Sequence, residues 1–178
     1  MYRNKTLLAF LIFTTCSLHV TGQNQSNKLE FGFSVNQFQN DFGIGAHLIS
    51  PYFLNSKVAV RAGANFQWFE HYEGAETTWT PYQSFQLGLR SRTAIIENTL
   101  FIYGEGGVIL ILPNSDFSSE DNEFGGYGVF GFEFKPSQKF AYFIELGGVG
   151  TGAKADLVGN EPIYSNGFLT QVGFRIGF

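Results

Sequence analysis

The chain has 178 residues, of which 17% are aromatic and 22 are glycine, and its formal net charge is −4. An acidic chain without a basic patch is a poor nucleic-acid binder, so we exclude a nucleic-acid partner. After residue 22 no stretch holds the roughly 18 consecutive apolar residues of a transmembrane helix, and the single cysteine, Cys16, cannot form an intramolecular disulfide.

The N-terminus has the features of a secretory signal peptide. Arg3 and Lys5 precede an apolar run at 7–13, which is too short to span a bilayer as a helix. Smaller residues follow, and the pattern ending at Gly22 fits a cleavage site. We therefore expect a signal peptide at 1–22.

Two alternatives compete with this interpretation of the N-terminus. A buried first helix fits poorly with the polar stretch 22–28 that follows it. A lipoprotein acylated at Cys16 lacks a good lipobox in the residues before that cysteine. With the signal peptide removed, residues 23–178 are expected to form a single domain.

Eight segments follow in which apolar residues recur at every second position. In the third, Val58 and Val60 lie on one face, and Arg61 and Gly63 lie on the other. A period of two predicts β-strands with one apolar face. The segments are 28–36, 42–50, 57–69, 82–91, 100–110, 126–134, 140–148 and 168–178.

The connections between these segments alternate in length. Short ones are expected at 50–56, 92–98 and 135–139, and longer polar ones at 70–82, 112–124 and 151–167, with only the hairpin at 37–41 brief on that side. Short turns at one end and long loops at the other are typical of outer-membrane barrels. The sequence therefore predicts an all-β fold, an eight-stranded antiparallel up-and-down transmembrane β-barrel.

A water-soluble barrel or sandwich, with the apolar face inward, is the alternative fold. The polar face is rich in glycine, which favours a small and crowded interior over a solvated surface. Aromatic residues are also expected in two interfacial girdles at the strand ends. One girdle comprises Trp68, Tyr72, Trp79 and Tyr82, and the other Tyr52, Phe101, Phe140, Tyr142 and Phe178.

Each of the eight segments carries an ionisable residue on its polar face. Because an arginine facing lipid near the midplane costs about 2–4 kcal/mol, this face must point inward. The predicted interior charge network comprises Glu30, His47, Arg61, Arg90, Glu105, Glu133, Glu145 and Arg175. A packed polar core is the favoured interpretation, a narrow gated or proton-selective pathway is the second, and a catalytic carboxylate cluster is the third.

The last eight residues, "QVGFRIGF", resemble the C-terminal sorting signal of bacterial outer-membrane β-barrels. Gln171, Gly173, Ile176 and Phe178 occupy the positions of that signal. The resemblance implies the barrel assembly machinery as a partner during biogenesis, with the terminal strand handed over by strand addition.

Over residues 23–178 the chain is similar to the small eight-stranded outer-membrane barrels of the outer-membrane protein A and outer-membrane protein X type in Gram-negative bacteria. This resemblance implies an outer-membrane location, a periplasmic N-terminus, four surface loops and an interior charge network. It also implies a monomer in contact with outer-membrane lipid and lipopolysaccharide.

Two lipid A-modifying enzyme families use a similar barrel. The deacylase pattern needs a serine two residues after a histidine, which neither His47 nor His71 supplies. A palmitoyltransferase set could be imagined only from His71, Asp116 and Ser118. The acidic stretch 116–123 lacks the glycine and spacing of a calcium loop, so no metal or cofactor is expected.

Three functional hypotheses follow. The favoured one is a structural or surface-interaction protein that is not an enzyme and acts through its extracellular loops. A narrow porin-like channel is the second, and a lipid A-modifying outer-membrane enzyme is the third.

Overall fold

The computed structural model describes residues 28–39, 41–73 and 76–178. The signal peptide expected at 1–22 therefore lies outside the described residues. Each of the eight predicted segments overlaps one strand of the structure. The strands are β1 (Glu30–Phe38), β2 (Asp41–Ile49), β3 (Val58–Glu73), β4 (Glu76–Ile96), β5 (Leu100–Leu112), β6 (Glu123–Phe134), β7 (Phe140–Gly150) and β8 (Gly167–Gly177).

The eight strands form a closed ring in chain order. Every neighbouring pair is antiparallel, and β8 closes the ring by pairing with β1, where Val35 lies opposite Val172. The predicted eight-stranded up-and-down barrel is thereby confirmed. Within the described part of the chain, no helix is long and apolar enough to cross a membrane.

The period of two in the sequence appears as an alternation of exposed and buried residues along the strands. In β1, Phe31, Phe33 and Val35 are exposed, whereas the residues between them are buried. The exposed face is therefore apolar along the strands and the buried face is polar. A barrel in water would show the reverse arrangement, so the soluble alternative does not fit this wall.

Glycines on the inner face make room for the larger side chains opposite them. A Cβ added at Gly32 would lie 2.2 Å from Nε2 of His47, and one at Gly131 would lie 2.5 Å from the Tyr103 ring. Neither distance is compatible with a side chain. The glycine-rich polar face therefore belongs to a crowded interior, as its composition indicated.

The two ends of the barrel differ. One end carries the short connections 50–57, 97–99 and 135–139, and we call it the turn end. The other end, the loop end, carries the loops 113–122 and 151–166. It also carries the β1–β2 and β3–β4 hairpins.

The predicted long loop at 70–82 is wrong. β3 and β4 continue through it as a regular hairpin, with Glu70 opposite Trp79 and Tyr72 opposite Thr77. Threonine and aromatic residues favour strands, and here they pair across the hairpin even though the segment is polar. The result is a two-stranded extension that projects beyond the paired part of the barrel.

Candidate functional site

All eight ionisable residues predicted to face the interior are buried. Even the least buried, Glu30, is only 7% exposed. Each lies on the polar face of its strand, with exposed residues on either side along most of the wall. The other seven are His47, Arg61, Arg90, Glu105, Glu133, Glu145 and Arg175.

Arg61 links two carboxylates that belong to different strands. Its Nη1 lies 3.1 Å from Oε1 of Glu105 on β5 and 3.0 Å from Oε2 of Glu145 on β7. Because β3 and β7 are not neighbours in the ring, this contact crosses the lumen. A buried charge in such a place is tolerated only when it is paired.

Arg175 and Arg90 extend the same network. Arg175 lies 2.5 Å from Glu133 and 2.7 Å from Glu145, and Arg90 lies 2.7 Å from Glu133. Arg175 also donates from Nε to Nε2 of His47, 3.1 Å away. Because that nitrogen accepts a hydrogen bond, His47 is a neutral imidazole here. We define the ion-pair network as the seven residues Arg61, Arg90, Arg175, Glu105, Glu133, Glu145 and His47.

Glu30 lies apart from the arginines with which it was grouped. Its carboxylate is 2.9 Å from Nζ of Lys135 and 3.9 Å from Arg92. The same two cations lie 3.2 and 3.6 Å from Glu133, which joins this cluster to the ion-pair network. Sequence reasoning missed both cations. Both had been assigned to short connections, Arg92 to 92–98 and Lys135 to 135–139. The first assignment is wrong, because β4 continues to Ile96, and the available signal was that Arg92 has the same strand parity as Arg90.

Tyrosine hydroxyls add hydrogen bonds to the carboxylates of the network. Tyr103 donates to Glu145 at 2.7 Å and Tyr127 donates to Glu105 at 2.8 Å. The guanidinium carbon of Arg90 lies 3.4 Å from the centre of the Tyr103 ring, a cation–π contact. Charge, hydrogen bonds and ring stacking therefore hold the network in one arrangement.

A layer of uncharged polar side chains lies between the ion-pair network and the loop end. Asn36 donates to Asn65 at 3.0 Å and Ser84 donates to Gln67 at 3.1 Å. These hydrogen bonds again join strands that are not all neighbours. The layer satisfies polar groups that would be costly to bury alone.

An apolar cluster closes the loop end. The ring centres of Phe117 and Tyr164, which belong to the two long loops, are 4.9 Å apart. Phe69 lies 5.1 Å from Phe117, and Tyr82 lies 5.4 Å from Tyr164. We call these four residues the aromatic lid. Sequence analysis described both loops only as long and polar, and it missed the lid.

Polar contacts hold the lid in place. Asp41 accepts a hydrogen bond from the Tyr82 hydroxyl at 2.7 Å and another from the backbone N–H of Ser165 at 2.6 Å. The two long loops are also joined to each other, because Ser119 donates its hydroxyl and its backbone N–H to Asp156. These hydrogen bonds lower the pKa of Asp156, and burial raises the pKa of Tyr164 to about 12.

The predicted aromatic girdles are partly wrong. Tyr82 belongs to the lid, and Tyr52 is buried beneath Arg92, whose guanidinium carbon lies 3.5 Å from its ring centre. Phe101 also contacts Arg92, at 5.0 Å, on the inner face. The predicted strand bounds indicate which aromatic residues lie near a strand end. Whether such a residue faces inward or outward depends on its odd or even position in the strand, which must be counted separately. The other predicted members, among them Trp79 and Tyr142, lie on the outer face.

The C-terminal residues take part in the closed barrel. Gln171 points inward and donates to Ser34 at 2.7 Å, while Gly173 pairs with Ser34 and Phe143. Ile176 lies on the outer face, and Phe178 is 73% exposed. In the folded protein this segment is therefore paired on both edges.

Ser118 and His71, two of the residues imagined for a palmitoyltransferase, have other contacts in the structure. Ser118 donates its hydroxyl proton to the carbonyl of Lys154, and Asp116 is exposed. His71 is buried and stacked on Phe69 at 5.3 Å. Among the described residues, no group of three His, Cys, Asp or Glu side chains could hold a metal ion.

No family model and no curated protein matches the chain. Solved structures do match it. The N-terminal β-barrel domain of OprF from Pseudomonas aeruginosa is 13% identical, with a TM-score of 0.60, and the match covers 86% of this chain and 98% of that one. The outer membrane protein OprG from the same species is 14% identical, with a TM-score of 0.56 and coverages of 88% and 99%.

The outer membrane protein Ail from Yersinia pestis, determined in a phospholipid bilayer nanodisc, is also similar. It is 13% identical, with a TM-score of 0.53 and coverages of 85% and 99%. At such identities the similarity shows the fold alone. The chain has the fold of the small eight-stranded outer-membrane barrels.

Proposed function

We propose that this protein is an integral outer-membrane β-barrel with a plugged interior, which acts through its surface loops in a structural or interaction role. The turn end faces the periplasm and the loop end faces the exterior. Residues 1–22 are a signal peptide, and Gln171, Gly173, Ile176 and Phe178 are read by the barrel assembly machinery before the barrel closes.

The apolar outer wall supports a membrane location. Exposed side chains such as Phe33, Leu87 and Ile144 surround the barrel at mid-height. Burial of this wall in lipid removes apolar surface from water at about 25 cal/mol per Å². The protein thus contacts outer-membrane lipid and lipopolysaccharide directly, and it needs no partner subunit to cover the wall.

A single observation supports the proposal that the interior is plugged: two separate barriers occupy the same lumen. The ion-pair network crosses the barrel in its turn-end half, where Arg61 contacts Glu145. The aromatic lid covers the loop end, where Phe117 contacts Tyr164. A solute would have to displace both, and an eight-stranded barrel is just wide enough for side chains to fill. These barriers disfavour the channel hypothesis.

The loop end has the features of an interaction surface. The β3–β4 hairpin projects beyond the barrel and exposes Tyr72 and Trp79. The two long loops are held together by the contact between Ser119 and Asp156. A surface that is already ordered loses less entropy when it binds a partner than a mobile one does.

Epitope insertion tests the orientation and the surface role. One tag is placed after Asp121, in an exposed part of loop 113–122, and a second after Ser137, in the exposed turn 135–139. Antibody should label the first tag on intact cells and the second only after the outer membrane is permeabilised. Labelling of the Ser137 tag on intact cells would contradict the proposal.

A further inference from the structure

The turn end of the barrel opens into a vestibule of about 700 Å³. Its walls come from all three short connections, and its lining combines cationic side chains with amides and one aromatic ring. Lys57, Arg92, Phe101, Lys135, Asn98 and Gln138 are among the lining residues. The vestibule lies directly beneath the cluster that joins Lys135 and Arg92 to Glu30 and Glu133.

The connected charges above the vestibule do not balance. Five cationic side chains share four carboxylates, and His47 adds no charge because its Nε2 accepts a hydrogen bond from Arg175. The cations are Arg61, Arg90, Arg92, Lys135 and Arg175, and the carboxylates are Glu30, Glu105, Glu133 and Glu145. An excess positive charge in a low-dielectric interior is costly unless an anion compensates it.

Among the cations that line the vestibule, Arg92 has a hydrogen-bond donor that is not satisfied. Its side chain is 9% exposed, and Nη1 has no hydrogen-bond partner. The nearest carboxylate oxygens, on Glu133 and Glu30, lie 3.6 and 3.9 Å away, too far for good hydrogen bonds. The ring of Tyr52 supports the guanidinium from one side at 3.5 Å, so its position is fixed.

We propose that the vestibule binds a small soluble anion, a phosphate or a carboxylate, beside Arg92, Lys135 and Lys57. The anion balances the excess charge and accepts hydrogen bonds from the cationic groups. The side-chain amides of Asn98 and Gln138 are available to donate further hydrogen bonds to its oxygen atoms. Glu97, which also lines the vestibule, opposes the anion. The site goes beyond the proposed function and uses that function only to place the vestibule in the periplasm.

The test measures anion binding to the refolded barrel in a non-ionic detergent, which contributes no phosphate. Inorganic phosphate and, separately, succinate are titrated at constant ionic strength while backbone amide resonances are followed by NMR. We expect saturable shifts at Ser56, Asn98 and Ser137, which line or flank the three turns, and none in the loop 113–122. Shifts that grow linearly without saturation would overturn the proposal.

Charge variants test which residues contribute to anion binding. Lys57 is exposed, so Lys57→Gln should leave the fold unchanged and weaken phosphate binding about two- to fivefold, the range of an exposed charge pair. Glu97→Gln should strengthen binding. Lys154→Gln, at the loop end, is the matched control and should leave binding unchanged. Equal affinity in the Lys57 and Lys154 variants would contradict the site.

A membrane arm separates a soluble anion from a lipid head group. The barrel is placed in nanodiscs of phosphatidylcholine with or without phosphatidylglycerol. Turn-end shifts that require phosphatidylglycerol, together with no response to phosphate in detergent, would overturn the proposal of a soluble ligand. Failure of either arm leaves the epitope experiment unaffected, so the anion site and the proposed orientation are tested separately.

Discussion

The guanidinium of Arg61 on β3 contacts the carboxylate of Glu145 on β7 at 3.0 Å, across the lumen of the barrel. Both side chains are almost fully buried. Each also has a second partner, Glu105 for Arg61 and Arg175 for Glu145. Removal of either side chain therefore unbalances a buried cluster of charges, which costs more than an intact pair contributes. This contact is therefore the place where the interior is most sensitive to substitution.

Glu145→Ala should destabilise the barrel strongly. Arg61, Arg175 and Tyr103 all lose their shared acceptor, and the loss of one buried partner typically costs about 3–5 kcal/mol. Urea unfolding in lipid vesicles measures the change. Glu161→Ala, at an exposed loop position, is the control and should change little. A Glu145→Ala barrel as stable as the wild type would contradict the structural role of the network.

Removal of a whole pair should cost less than removal of half of it. Arg61→Met alone leaves Glu105 unpaired, whereas Arg61→Met combined with Glu105→Leu removes both charges and leaves Glu145 with Arg175. We expect the double variant to unfold at a higher urea concentration than the single one. Additive losses in the two single variants and the double variant would show that Arg61 and Glu105 are not coupled.

A charge on the outer wall tests the membrane-facing surface. Leu87 is exposed near the middle of β4, so Leu87→Arg should cost about 2–4 kcal/mol when the barrel folds into a bilayer. The matched control, Leu157→Arg, places the same side chain in an exposed loop and should fold normally. Equal folding of both variants would contradict the assignment of the outer wall to lipid.

The contact between the two long loops should depend on pH. Hydrogen bonds from Ser119 lower the pKa of Asp156, so the contact stabilises the loops above the ordinary pKa of an aspartate and is lost as pH falls through the lowered value. Amide exchange at Ser119, corrected for intrinsic rates, should become faster at acid pH. Asp156→Asn removes the titrating group but keeps an acceptor oxygen, so in that variant the exchange rate, corrected in the same way, should not differ between neutral and acid pH.

Truncation of the lid should loosen the loops without opening the barrel. Phe117 is fully buried against Phe69 and Tyr164, so Phe117→Ala leaves a cavity between them. We expect faster amide exchange in 151–166 and unchanged protection in β5, because the ion-pair network is intact. Ile95→Ala, at an exposed turn-end position, is the control.

The fold followed from the sequence because exposure alternates so regularly. Phe31 and Phe33 lie outward, and the arginines Arg61 and Arg90 lie inward, as a period of two requires. A shift of one residue would have placed both arginines in lipid. The strand count and the inward face were therefore predictable, since each is a local property of the pattern.

Contacts between distant segments were not predictable in the same way. The period of two indicates a face, but it does not give the depth of a residue along the barrel or the path of a loop. Phe117 and Tyr164 close the loop end because two loops fold back. Lys135, which follows β6, reaches Glu30 at the start of β1 across the turn end of the barrel. The strand ends in 70–82 were missed because the segment is polar, so the sequence does not indicate that Trp79 pairs across the hairpin.

Planar-bilayer recording tests the plugged interior most directly. The refolded protein is first shown to migrate differently on a gel with and without boiling. An absence of current is then known to come from a folded barrel. Because the ion-pair network and the aromatic lid both close the lumen, we expect no conductance steps from the wild type or from Phe117→Ala. Stable wild-type steps that disappear in Arg61→Ala or Glu145→Ala would contradict the account and make the ion-pair network a gate.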